Sequence, residues 1–231
     1  VEYIDDKLAD NRLYKYRVIA YTFTGLKSPP SRVVEATTKP LPEIVQNIVA
    51  TKELPKQIKL TWAPVSNKDL DYYNIYKAKS AEGSYSVAGK GRVSEFTDTT
   101  AKDGEEFFYK VTAVDTDGLE SPMPVYPTHG MSLPQPASPI VTSATIEGKK
   151  AVIRWSRGDD RAVSYVVHRS SGSWFKKENI SFDSISGTTF TDDSIAPGIE
   201  YNYSVSSVDR FGIVSEPTKN AVLLLPENLG N

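Results

Sequence analysis

The sequence predicts an all-β protein built of tandem β-sandwiches, and three observations carry that expectation. An aromatic strand followed by a glycine turn occurs three times. Its copies keep one period, about the size of a small domain. No segment shows the 3.6-residue apolar period of a helix. The middle copy reads Phe107-Phe108-Tyr109-Lys110-Val111-Thr112-Ala113-Val114-Asp115, then Gly118 and Ser121. Upstream, Tyr14-Lys15-Tyr16-Arg17-Val18-Ile19-Ala20 leads to Gly25 and Ser28; downstream, Tyr201–Asp209 leads to Gly212 and Ser215. The glycines are 118−25 = 93 and 212−118 = 94 residues apart, and Trp62 and Trp155 are 155−62 = 93 apart. A fixed period of this length means one folding unit per copy.

Residues 1–39 read as the last two strands of such a unit. Tyr14, Tyr16, Val18 and Ala20 alternate with Lys15, Arg17 and Ile19, Thr24-Gly25-Leu26 turns, and Arg32–Ala36 returns. Two strands alone are marginal in water. By the repeat period, about 55 residues of this copy are unaccounted for ahead of Val1. The expectation is therefore either an interrupted parent repeat or a strand-paired dimer through residues 1–38, driven by an exposed edge. Lys39-Pro40-Leu41-Pro42 and Leu133-Pro134-Gln135-Pro136 read as proline-stiffened junctions, which places one domain at 40–133 and another at 134–231.

In residues 40–133 the expected strands are Gln57–Ala63, a run around Tyr73, Ile75 and Lys77, Ser84–Ala88, Arg92–Asp98, the aromatic stretch, and Met123–Thr128. In residues 134–231 they are Ala151–Trp155, Tyr165–Arg169, Ser173–Lys176, Phe190–Asp192, Tyr201–Val208 and Thr218–Leu224. Gly, Pro, Asp and Ser clusters separate them, as short strands of a sandwich require.

Composition narrows the function classes. The 231 residues carry 27 Lys and Arg against 29 Asp and Glu, a net charge of −2. That balance argues against nucleic acid or a membrane surface as a partner bound by bulk electrostatics. The longest apolar tail, Ala221–Leu225, ends at Pro226, far short of the roughly 20 residues needed to cross a bilayer, so no membrane insertion by this stretch is expected. The chain has no cysteine, which excludes disulfides and cysteine-ligated metals without excluding an extracytoplasmic home.

A tryptophan ending the second strand, Tyr-x-Ile or Tyr-x-Val in the third, Tyr-x-Tyr-x-Val in the aromatic strand, and then Asp-x-x-Gly-x-x-Ser resemble the fibronectin type III domain. The resemblance covers nearly the whole chain, as two copies and the C-terminal third of another. It implies seven-stranded, immunoglobulin-like sandwiches. The family's tyrosine-corner position falls on Tyr14 and Tyr201, but in the middle copy on Phe107, which lacks the hydroxyl.

The resemblance also frames function. Cysteine-free, lysine-rich copies with Asp-x-x-Gly-x-x-Ser turns look like bacterial ones. They imply a non-enzymatic, extracytoplasmic binding module at the cell surface or outer membrane, or secreted. A bacterial surface lipoprotein adhesin is the expected kind, with host fibronectin or another matrix protein as partner. The contact surface is then expected in the loops Ala63–Asp71 and Ser156–Val163, through Trp62, Pro64, Asn67, Lys68, Asp69, Arg157, Gly158, Asp159 and Arg161. Two alternatives stand beside it. One is a passive spacer in a secreted polysaccharide-degrading enzyme. The other is integrin-type recognition through Arg157-Gly158-Asp159, whose competing reading is ordinary loop chemistry. A eukaryotic adhesion receptor would instead carry glycans at Asn179-Ile180-Ser181 or Asn202-Tyr203-Ser204.

No catalytic, cofactor or metal-ligating residue is assigned. His129, in an expected linker, and His168, in a strand, have no companion cysteine or spaced histidine. The acid groups Asp5-Asp6, Asp115 with Asp117, Asp159-Asp160 and Asp192-Asp193 read first as turn caps, and as calcium ligands only if several loops converge. Tyr72, Tyr76, Phe108, Trp174 and Phe175 fall off the core alternation and are candidate interface aromatics.

Overall fold

A computed structural model of the chain describes residues 2–173 and 176–227, and every regular element in them is a strand. The chain forms two compact units. One comprises Val1–Thr51, Ile58–Thr99 and Glu106–Gly130; the other comprises Lys52–Gln57, Thr100–Glu105 and Met131–Asn231.

In the first unit, β1 (Leu13–Tyr16) and β2 (Val34–Thr37) form an isolated antiparallel ribbon, with Tyr14 opposite Ala36 and Tyr16 opposite Val34. A three-stranded sheet follows, from β3 (Val49–Ala50), β4 (Ile58–Thr61) and β7 (Glu95–Asp98). The four-stranded sheet contains β5 (Leu70–Ala78), β6 (Ser86–Gly91), β8 (Glu106–Asp115) and β9 (Thr128–Met131), in the order β6-β5-β8-β9. Alternation decides the core. Ile58 and Leu60 of β4, Tyr73 and Ile75 of β5, and Tyr109, Val111 and Ala113 of β8 are almost fully buried. Trp62 meets Tyr73 edge-on at 5.2 Å.

The second unit repeats this plan. β10 (Ile140–Glu147), β11 (Lys150–Ser156) and β14 (Thr189–Asp192) make the three-stranded sheet. β12 (Ala162–Ser173), β13 (Lys176–Ile185), β15 (Glu200–Asp209) and β16 (Ala221–Leu224) make the other, in the order β13-β12-β15-β16. Ile153, Trp155, Tyr165, Val167, Tyr203, Val205 and Leu225 fill its core, with Trp155 edge-on to Tyr165. Three plus four strands in each copy give the expected seven-stranded sandwich.

Several strands depart from expectation for visible reasons. The strand expected at Met123–Thr128 lies at Thr128–Met131, because Pro122, Pro124 and Pro127 remove backbone donors until the chain has passed them. His129 is thus in β9 rather than a linker, against the Phe108 ring at 5.1 Å. The strand expected at Ser173–Lys176 is instead where β12 ends and the ten-residue β13 begins. Trp174 and Phe175 lie outside the described residues. β10 escapes sequence reading because a bulge between Val141 and Ser143 breaks its alternation.

The tyrosine corners form where the hydroxyl exists. Tyr14 Oη accepts from Ala9 N at 2.8 Å, and Tyr201 Oη accepts from Ala196 N at 3.0 Å. At Phe107 the corner is held differently: the ammonium groups of Lys77 and Lys79 lie 4.3 and 4.1 Å from its ring centre.

Candidate functional site

The two pole loops expected to meet a partner are built around the junction that precedes each sandwich. In the first unit the turn after β8 starts at Asp115, whose Oδ1 accepts from the amides of Asp117 and Leu119. That local bonding leaves Oδ2 to point at Lys39, in the proline junction. Lys39 Nζ lies 2.6 Å from Asp115, 2.5 Å from Asp117 and 2.5 Å from Asp69 of the pole loop. Asn67 Oδ1, in the same loop, accepts from Glu43 N at 3.1 Å. The hydrogen bonds that Lys39 donates to Asp115, Asp117 and Asp69 raise its pKa above its ordinary value. Lys39 in turn holds the Asp115 carboxyl below the usual carboxylate range. The three acids lie close enough together to coordinate a cation, and the positive charge among them is this ammonium.

The second unit reaches the same end with different residues. Asp209 Oδ1 accepts from Phe211 N and Ile213 N, as Asp115 does in its own turn. Its Oδ2 lies 2.6 Å from Arg161 Nη2, so here the cation comes from the pole loop itself. Burial pushes the Asp209 carboxyl up; Arg161 and the two amides outweigh that and hold it low. Asp159 Oδ2 accepts from Ala137 N at 2.7 Å, and its Oδ1 accepts from Arg161 N at 2.9 Å. Ser207 Oγ donates to Ala137 O, and Ser138 Oγ donates to Glu216 O, both at 2.7 Å. A Cβ on Gly158 would sit 2.2 Å from Ser138 O and 2.5 Å from Ala137 O, so the loop closes on this junction only with glycine there.

Placed residue by residue, the expected contact set separates. Trp62 is a core ring, 6% exposed. Pro64, Lys68, Arg157 and Gly158 are exposed, whereas Asn67, Asp69, Asp159 and Arg161 are half-buried and bonded within their own unit. In Arg157-Gly158-Asp159, both carboxylate oxygens of the aspartate are engaged by backbone amides. Of the expected aromatics, Tyr76 donates to Glu120 at 2.7 Å and Tyr72 lies under Lys90.

Sequence reading passed over Lys39, whose signal was its place beside Pro40 in a junction. It also read Asp192 first as a turn cap, and Asp98 as no more than the end of a strand. Each is buried at the centre of a triad. Lys77 Nζ and Tyr109 Oη both lie 2.8 Å from Asp98 Oδ2; Arg169 Nη1 and Tyr203 Oη both lie 2.7 Å from Asp192 Oδ2. The signal was the constant spacing, 109−98 = 11 and 203−192 = 11.

No family model matches the chain. An amylopullulanase of Thermoanaerobacterium saccharolyticum is 34% identical over 93 residues, covering 40% of this chain and 7% of that protein. A Kelch domain-containing protein of Saccharolobus solfataricus is 25% identical over 207 residues, covering 83% of this chain and 26% of that protein. The chain thus spans about a quarter or less of the length of these relatives. Among solved structures, an Fn3-like protein from Clostridium thermocellum is 32% identical with a TM-score of 0.34, covering 42% of this chain and 99% of that one.

Proposed function

We propose that the chain, built of seven-stranded sandwiches whose strands and turns resemble the fibronectin type III domain, is a non-catalytic spacer in a longer extracytoplasmic protein. In this reading residues 1–39 are the end of one domain, and 40–133 and 134–231 are two more. One observation carries the reading: Asn67 and Asp69 of one pole loop and Asp159 of the other are spent on the chain's own junctions. Asp69 and Asn67 hold Lys39 and Glu43, and Asp159 holds Ala137. Side chains committed in this way fix the path by which the chain enters each sandwich, which is what a spacer needs. A partner would have to displace those bonds and leave their donors unmet, at roughly 1 kcal/mol or more for each. The match of one repeat length to a small part of an amylopullulanase, by its name a polysaccharide-degrading enzyme, supports a spacer in a protein of that kind.

The test is solid-phase binding of the chain to immobilised fibronectin and to integrin ectodomains, with Asp159→Ala and an exchanged Ala63–Asp71 loop beside it. The spacer reading expects no saturable binding to either. Saturable fibronectin binding lost on loop exchange would replace it with the adhesin, and integrin binding lost in Asp159→Ala would replace it with Arg-Gly-Asp recognition.

A further inference from the structure

The two sandwiches agree in their cores and differ on the outer face of their four-stranded sheets. Across from Tyr109 and Val111 in one copy stand Lys77 and Ile75; across from Tyr203 and Val205 in the other stand Arg169 and Val167. By that register Ser170, Asn202 and Ser204 hold the places of Ala78, Phe108 and Lys110. The sandwich itself therefore requires no hydroxyl or amide at any of the three. In the second unit these side chains line a groove of about 340 Å³ across β13, β12 and β15. Asn179, Ser170 and Asn202 stand directly across from one another in one row, and Ser181, His168 and Ser204 in the next. With strands about 4.8 Å apart and alternate residues about 6.6 Å apart, the six form a grid of roughly 10 Å by 7 Å.

Ser204 is only 8% exposed and lines the groove, yet its hydroxyl has no hydrogen-bond partner among the described residues. A buried hydroxyl left unpaired is costly, so this one calls for a partner from outside the fold. The side chains of Ser170, Asn179 and Asn202 have no partner among the described residues either. His168 is held at both ring nitrogens, by Ser181 Oγ at 3.1 Å and Ser206 Oγ at 3.3 Å, so it shapes the groove and offers no free base. The charge of the lining selects the ligand. Among the described residues no aspartate or glutamate lines the groove, so nothing there attracts a cation. Arg169 is committed to Asp192, and Lys177 stands exposed at the rim. Ile180 is the one apolar lining residue among those described, too little to hold an apolar ligand. Serine hydroxyls and asparagine amides both donate and accept, as the hydroxyls of a sugar do. We propose that this groove binds an uncharged oligosaccharide, with Asn179, Ser170 and Asn202 bonding its hydroxyls and a sugar oxygen meeting the Ser204 hydroxyl. The site goes beyond a spacer's role and uses no residue of the pole loops.

The test is NMR titration of the full chain with maltohexaose, cellohexaose and xylohexaose, reading asparagine side-chain amides and the backbone amides of β12, β13 and β15. At least one of the three is expected to give saturable shifts in the millimolar range at Asn179 and Asn202, with Asn67 of the pole loop unmoved. Asn202→Ala is expected to weaken binding about fivefold, the loss of about one hydrogen bond. Asn179→Ala, on an edge strand where the side chain is exposed, is expected to do the same with the fold intact. Ser204→Ala removes a hydroxyl that the protein does not bond, so it is expected to weaken binding without lowering Tm. Three results would overturn the proposal: no saturable shift with any of the three sugars, binding kept in full by both asparagine variants, or binding of inorganic phosphate beside Lys177 in place of the sugars.

Discussion

At Asp192 three side-chain donors converge on one buried carboxylate. Burial alone would push its pKa up, but the bonds from Ser194, Tyr203 and Arg169 outweigh burial and hold it below the ordinary range. Arg169 is itself only 7% exposed, so removing it leaves a buried charge without its partner. Arg169→Met should lower unfolding free energy by about 3 kcal/mol, read from urea midpoints. The sign of the pH effect follows from the direction of the shift. A depressed carboxylate gives stability above the ordinary carboxylate range, about 4, that is lost as pH falls through the folded value. Asp115 and Asp209 are depressed as well and add to the same acid-side loss. Urea midpoints should therefore fall below about pH 4, and less steeply in Arg169→Met, where Asp192 is no longer held so low. The Tyr201 hydroxyl makes one bond, to Ala196 N, so Tyr201→Phe should lower stability by about 1 kcal/mol, visible as a lower Tm.

Among the elements, strands with clean alternation were legible. β4, β8, β11 and β15 lie where the pattern put them because each turns a row of alternate large apolar residues to the core. The structure adds that Asn74, Thr112 and Ser206, on the outer faces, are also buried, since neighbouring side chains such as Glu120 cover them. β9 was displaced by proline, β10 was hidden by its bulge, and β13 alternates only through Ile180 and Phe182, too short a run to mark a ten-residue strand. Where strands close on one another, glycine is required by space rather than by conformation. A Cβ on Gly130 in β9 would meet Ile58 Cγ2 at 2.6 Å and Ala50 Cβ at 2.9 Å, and one on Gly89 in β6 would meet the Phe96 ring at 2.4 Å. Gly130→Ala and Gly89→Ala should each cost about 1–3 kcal/mol by overpacking. Gly148→Ala, with nothing within 4 Å of its Cβ, should cost only the strain of its positive φ, of order 1 kcal/mol. Thermal unfolding of the three variants checks the order.

Across the whole molecule, the repeat made the sandwiches readable, because residues recurring at 93 or 94 positions apart reported the core directly. The use of the pole loops was not readable in the same way. An aspartate that receives a partner and one that receives the chain's own amide look alike in sequence, and only the fold brings Ala137 to Asp159 and Lys39 to Asp69. The two sandwiches even solve the problem with different cations, Lys39 in one and Arg161 in the other, which conceals the shared role. The central claim is that these loops clamp their own junctions, and amide hydrogen exchange at Glu43 and Ala137 tests it most directly. Both amides should exchange at least tenfold more slowly than in an unstructured peptide. Asn67→Ala should release Glu43 alone and Asp159→Ala should release Ala137 alone, with Val111 and Val205 unchanged in both variants. Exchange at the unstructured rate in the unaltered chain, or no change on either substitution, would contradict the clamp.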